Sequence, residues 1–352
     1  MTPRDRAQRF CQRFGCTVPI LQAPMAGSSP PALAAAVADA GGLGACGALQ
    51  LGRDGILAWA RDVRTRTNGA FQLNLWVPDD PPARDPAAEA RVRAALGALG
   101  PAVPDAGKGP WLQDFEAQCE ALLEAGPAIV STIMGLFPAA FVARLRERGI
   151  SWIANATTLD EALAAEAAGA DAVIAQGAEA GGHRGSFAPE GAERGSIGLF
   201  ALIPRFADAL QVPVIAAGGV MDGRGIAAAL TLGASAVQMG TAFLRCPEAA
   251  IHPAWAERLA AGTPEETVLT RGFSGRLARG LRNEVTQLFA REAPAPYPLQ
   301  RVFTGPLREA AARSGNAEHM QLWAGQGVAL SRAEPAGDLV RRVWAEAEAL
   351  LA

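Results

Sequence analysis

Residues 212–244 read VPVIAAGGVMDGRGIAAALTLGASAVQMGTAFL. An apolar, β-branched run ends in two glycines, a segment of helical period follows, and a further glycine leads into a second apolar run. That is strand, helix and returning strand, the unit from which parallel sheets are built.

The alternation continues toward the N-terminus. Candidate strands are PILQAP (19–24), GLGACG (42–47), FQLNLWV (71–77), AIVSTIM (128–134), ISWIANA (150–156), AVIAQG (172–177), VPVIAAGG (212–219) and AVQMGTAFL (236–244), eight in all. Between them lie helical segments such as PALAAAVADAGG, ILAWARDVRTRT, AAFVARLRERG and TLDEALAAEAAGA, several closed by the glycine that suits a helix C-terminus. Eight such units predict an α/β fold, the (β/α)8 TIM barrel, whose functional groups gather at the C-terminal ends of the strands.

Two stretches exceed the simple barrel. Residues 78–110 are rich in Pro, Asp and Ala and read as an inserted loop and helix, and the segment from about Cys246 to Gln321 carries helical pieces broken by APAPYPLQ. They predict a smaller, mainly helical lid domain built from insertions (79–109 and 246–321), leaving 1–78, 110–245 and 322–352 to the barrel. The final AEPAGDLVRRVWAEAEALLA has the spacing of a helix that packs back on it. GLGACG matches the glycine pattern of a dinucleotide fold, but it is itself the strand-like run rather than the turn after one, so the match carries no weight.

Composition narrows the chemistry. A net charge of −3 offers no basic surface to nucleic acid, and no apolar run approaches the length of a membrane span. Five scattered cysteines without a C-x-x-C pair point to reduced cytoplasm rather than disulfides or zinc, and His183, His252 and His319 lack metal-ligand spacing, so no metal is expected. The single lysine, Lys108, sits in a loop, which argues against Schiff-base chemistry.

Three glycine clusters fall at consecutive strand ends: GAEAGGHRG, AAGGVMDGRG and QMGTAF. Gly218, Gly219, Gly240 and Thr241 thereby form a candidate phosphate cradle of bare N–H groups beside a helix N-terminus. Asn74, Gln176 and Gln22 are amides inside apolar strands, which need partners when buried; a flavin mononucleotide would satisfy the cradle and the amides together. His183 follows Gly181 and Gly182, whose bare backbone would let a ring system approach while the imidazole reaches a substrate as hydrogen-bond partner or base. Glu179 and Arg184 read as loop charges.

PILQAPMAG, NLWVP, AQGAEAGGHRGSF, PVIAAGGVMDGRGIAAALTLGASAVQMGTAFL and YPLQ…LWAGQG resemble the FMN-dependent nitronate monooxygenases, formerly 2-nitropropane dioxygenases, over nearly the whole chain. The resemblance implies that FMN contacts Ala23, Met25, Asn74, Gln176, Gly181, Gly182, Gly218, Gly219, Gln238, Met239, Gly240 and Thr241. It implies that His183 is the catalytic histidine and that Tyr297, the only tyrosine, stands near the substrate. STIMG (131–135) lacks the lysine that some relatives place by the flavin. The implied reaction is oxidative denitrification of alkyl nitronates, such as propionate 3-nitronate, with O2 to carbonyl compounds and nitrogen oxides, a detoxifying activity of a monomer or homodimer. FMN-containing, NADH-using enoyl-thioester (enoyl-ACP) reductases share a very similar core and form the alternative. A non-redox phosphate-binding barrel would need carboxylates at strand ends, where few occur.

Overall fold

The computed structural model describes residues 1–352. Its strands, in chain order, are β1 (Ile20–Gln22), β2 (Gly44–Gly47), β3 (Phe71–Trp76), β4 (Ile129–Ile133), β5 (Ser151–Ala156), β6 (Ala172–Gln176), β7 (Gly182–His183), β8 (Val214–Ala217), β9 (Ala236–Met239), β10 (Thr267–Thr270) and β11 (Ala278–Leu281). Eight run parallel in the order β1-β9-β8-β6-β5-β4-β3-β2, and a parallel bridge between Leu21 and Leu43 joins the two ends. This is a (β/α)8 TIM barrel. The seam is reinforced by Gln22, whose amide accepts from the Ala45 N–H at 3.2 Å and donates to the Ala45 carbonyl at 3.3 Å.

Strand alternation sorts the side chains. Leu73, Val130, Trp152 and Val173 face the surrounding helices, while Leu21, Leu43, Ile129, Ile153, Ile174 and Ile215 converge inside. Helix Pro3–Phe14 plugs the N-terminal end of that interior with Phe10 and Phe14, their ring centroids 4.5 Å apart. Its start is fixed by a capping box between Thr2 and Asp5 with Pro3 in the first turn, and its end by Gly15 in the left-handed region. The terminal helix Ala336–Leu350 packs Leu339, Val340 and Val343 against Ile226 and Leu230 of helix Gly223–Thr231.

Helix Pro86–Gly97 of the first insertion shares one core with the second insertion: Val92 and Leu96 pack with Phe273, Val285, Phe289, Leu299, Phe303 and Leu307. Two features differ from the sequence expectation. AVQMGTAFL does not stay extended to Leu244: β9 ends at Met239, the chain turns at Gly240, and Thr241–Phe243 forms a 3-10 turn that buries Ala242 and Phe243. The second insertion also holds the antiparallel pair β10–β11, which extends to β7 in the loop after β6. Its four-residue strands, with buried Arg279 inside one of them, carry too little alternation to signal a hairpin. No helix is long and apolar enough to cross a membrane.

Candidate active site

The loop after β6 is fixed from below by the strand that launches it. Gln176, the last residue of β6, donates to the His183 carbonyl at 3.0 Å and accepts from the Gly185 N–H at 2.8 Å, so its amide is committed to positioning the loop. Arg184 is not a loop charge. It is only 4% exposed and donates to the carbonyls of Gln176 (2.6 Å), Gly177 (2.7 Å) and Gly195 (3.0 Å), a role no spacing rule reveals. Glu179 accepts from the Leu199 N–H at 2.9 Å at the start of helix Leu199–Ala209. The bare backbone has a packing reason as well: a Cβ on Gly181 would lie 2.4 Å from the Gly325 nitrogen, because the segment Trp323–Gly327 crosses here. That segment is tied down by Gly325 N–H to Thr241 Oγ1 (2.9 Å) and Gln326 N–H to the Glu179 carbonyl (2.9 Å).

His183 stands between two indoles. Its ring centroid is 4.6 Å from Trp76 and 5.1 Å from Trp323, both edge-on, and its Nε2 is 2.7 Å from Ser274 Oγ. The Ser274 hydroxyl also lies 3.3 Å from the Arg276 carbonyl, so it can meet His183 Nε2 as acceptor or as donor according to the ring tautomer. Burial, aided by the charges of Arg301 and Arg276, pushes the imidazole down to about 3, so the ring is neutral at physiological pH. Tyr297 lies 5.8 Å from Trp76, with burial raising its phenol to about 12. Arg276, 2% exposed, pairs with Asp79 and donates to the Ser186 carbonyl at 2.9 Å, which ties the second insertion to the His183 loop.

Sequence reasoning missed Trp76, Ser274 and Trp323. Trp76 was findable, since it ends β3 on the same side chain row as Asn74. Ser274 and Trp323 come from segments remote in sequence that only the packing around β11 brings in.

The other expected residues cluster at neighbouring strand ends. A Cβ on Gly240 would meet Ala23 Cβ at 3.2 Å and Met25 Sδ at 3.8 Å. Gly218 and Gly219 take φ of +122° and +68°. The N–H groups of Gly181, Gly218, Gly219 and Gly240 donate to nothing within the chain and are open to an anion. Helix Gly223–Thr231 does not join them, because Asp222 already caps it by accepting from the N–H groups of Arg224 (3.1 Å) and Gly225 (3.2 Å). Gly182, at φ +75°, has open space where a side chain would be.

Below this shelf lies a polar layer. Asn74 donates to Ser131 Oγ at 3.0 Å, and Gln72 donates to Gln238 Oε1 at 3.4 Å and to the Gln22 carbonyl at 3.3 Å. Gln72 Oε1 and Asn155 Nδ2 are buried without a partner. Free N–H donors above unsatisfied amides fit a ligand that has an anionic end and a polar planar ring. Two expected contacts fall elsewhere: Gln22 is spent on the β1–β2 seam, and the Met239 side chain packs outward with Ile20 and Phe243, so only its backbone borders the site. A cleft of about 250 Å³ on the barrel flank, between Met221–Arg224 and Ala329–Arg332, is a poorer candidate, since its Arg224 and Arg342 are already paired with Asp222, Glu334 and Glu346.

A profile of nitronate monooxygenase matches residues 8–346. A nitronate monooxygenase of Pseudomonas aeruginosa is 44% identical over 353 residues, covering 96% of this chain and 98% of that one. Among solved structures, a nitroalkane oxidase from Streptomyces ansochromogenes superimposes with a TM-score of 0.90 at 39% identity, covering 97% of this chain and all of that one. FabK from Thermotoga maritima follows with a TM-score of 0.76 and 28% identity, covering 97% and 96%.

Proposed function

The chain belongs to the nitronate monooxygenase family, and on that premise we propose that it uses FMN and O2 to denitrify alkyl nitronates, such as propionate 3-nitronate, to carbonyl compounds and nitrogen oxides. The observation that carries this reading is His183, held between Trp76 and Trp323 beside the free glycine N–H groups. When bound, FMN supplies the redox chemistry. The chain supplies placement. Gly181, Gly218, Gly219 and Gly240 would hold the phosphate with their N–H groups, with Thr241 alongside; Ala23, Met25, Asn74, Gly182, Gln238 and the backbone of Met239 would line the rest, and Gln176 would act through the loop it fixes.

The unprotonated ring nitrogen of His183 would receive the α-proton when a neutral nitroalkane is offered, and the ring would only orient a substrate that arrives ionised. Residues 79–109 and 246–321 would form the lid that keeps water out, with Tyr297 near the substrate. Five free cysteines suit the reducing cytoplasm.

The test is the visible spectrum of the purified, FMN-loaded protein under anaerobic conditions, before and after propionate 3-nitronate is added. Loss of the flavin bands on nitronate is expected. Bands that ignore nitronate but bleach with NADH would replace this reading with the enoyl-thioester reductase, and a protein that cannot be loaded with FMN would remove the cofactor assignment.

A further inference from the structure

The arginines around the His183 pocket are, with one exception, occupied. Arg276 is paired with Asp79, Arg184 holds three carbonyls, and Arg279 donates to the Ala178 carbonyl and Thr267 Oγ1. Arg308 donates to Thr304 Oγ1 (3.3 Å), Gln321 Oε1 (3.4 Å) and the Arg301 carbonyl (3.1 Å). The guanidinium of Arg301 makes no hydrogen bond and no ion pair, although the residue is half-buried in helix Leu299–Phe303. It lies four residues after Tyr297, which precedes the helix and whose ring faces Trp76 and, through Trp76, His183; the charge of Arg301 bears on both the Tyr297 phenol and the His183 ring.

We propose that Arg301 is the substrate-selecting cation of this pocket and binds a planar anion with two oxygens, which for this enzyme is the nitronate group or a carboxylate on the same molecule. An unpaired charge withdrawn from water is unfavourable until a counter-ion arrives. No acid in the chain fills that place: Asp79 is taken by Arg276, and Glu309, beside Arg308, is exposed. Its charge is felt at both His183 and Tyr297, while burial weakens its own hold on its proton. The guanidinium fork matches two oxygens on one planar centre, so it would grip an ionised nitronate and leave a neutral nitroalkane, with little charge to offer, largely unrecognised. His183 would then act on the neutral form and Arg301 would favour the charged one.

The identity of the anion rests on the denitrification reading; the anion site itself does not. The probe is therefore nitrate, a planar oxyanion of similar shape, titrated calorimetrically into FMN-loaded protein at constant ionic strength. Arg301→Gln should weaken nitrate binding roughly tenfold to a hundredfold, the span expected for loss of hydrogen bonds from a charged group. The kcat/KM ratio of nitronate to neutral nitroalkane should fall at least about tenfold with it, and the exposed control Arg313→Gln should change neither. Arg301→Lys, which keeps the charge and loses the fork, should recover part of the loss and carries the test if the Gln variant does not fold.

Ethyl nitronate, which has no carboxylate, separates the two sources of the anion. A penalty on both ethyl nitronate and propionate 3-nitronate assigns Arg301 to the nitronate head, and a penalty on the latter alone assigns it to the carboxylate. Nitrate binding and substrate ratio unchanged in the folded variants would overturn the proposal. Arg301-dependent nitrate binding without nitronate turnover would keep this site and remove the denitrification reading, and turnover indifferent to Arg301 would do the reverse.

Discussion

At the N-terminal end of the barrel Leu21, Leu43, Ile129, Ile153, Ala172, Ile174, Ile215 and Ala236 close around Phe10 and Phe14. Toward the C-terminal end, two residues further along several of the same strands, the inward positions become Ser131, Asn155, Gln176 and Gln238, with Gln72 and Asn74 beside them. The first layer is dry and filled; the second leaves Gln72 Oε1 and Asn155 Nδ2 without partners. A buried polar atom left unpaired costs about 1–3 kcal/mol, so a barrel selected only for stability would have carried aliphatic side chains upward. The contrast separates the end that holds the fold from the end where the proposed cofactor would bind, and substitutions at the two ends should have separable effects.

The largest effect is expected at His183. Asparagine can keep a hydrogen bond to Ser274 but offers no base, so His183→Asn should lower turnover of a neutral nitroalkane by about 10²- to 10⁴-fold and turnover of the nitronate by less than about tenfold. Parallel steady-state assays on one preparation check this; equal losses on both substrates would remove the base assignment. The pocket also predicts acid sensitivity. Burial holds His183 neutral down to about 3, whereas an unfolded histidine takes up its proton near 6.5. The unfolded chain therefore binds the proton first as pH falls, and stability from this group, complete above pH 6.5, is lost progressively below it at no more than about 1.4 kcal/mol per pH unit. Urea unfolding at pH 6.5 and pH 4 should show a smaller loss for His183→Asn than for the wild type.

Phe10 tests the other end. It is 1% exposed and packs on Phe14 beneath the barrel interior. Phe10→Ala should destabilise the protein by about 3–5 kcal/mol in urea unfolding, while the FMN dissociation constant, measured at a temperature where the variant stays folded, remains within about twofold of the wild type. A comparable loss of flavin affinity would mean that the two layers are coupled.

The barrel was legible because its signals are local. Each strand is a short apolar run, each helix has period and often a terminal glycine, and Gly181, Gly218 and Gly240 mark strand ends where the backbone is close-approached or sharply turned. What stayed hidden depends on remote contacts or on buried charge. Trp323 and Ser274 reach His183 from segments more than ninety residues downstream. Arg184 and Arg279 look like surface residues until three-dimensional packing surrounds them with carbonyls. Gln22 shows the converse error: an amide inside a strand correctly announces a buried partner, but spacing cannot say whether that partner is a ligand or the neighbouring backbone.

Gln72 sharpens that last distinction, and the expected effect is the smallest. Its amide nitrogen reaches the Gln22 carbonyl and Gln238 Oε1 only at 3.3 and 3.4 Å, and its oxygen meets nothing in the chain. Methionine has a similar volume and no unsatisfied acceptor, so Gln72→Met should leave the flavin-free protein as stable as the wild type or more stable by about 1 kcal/mol. FMN affinity, followed by flavin fluorescence titration, should drop by about tenfold if the orphaned oxygen belongs to the ligand's hydrogen-bonding set. Destabilisation above about 2 kcal/mol with flavin affinity intact would instead make Gln72 a structural amide like Gln22, and would move the boundary between the holding layer and the binding layer one residue up the strands.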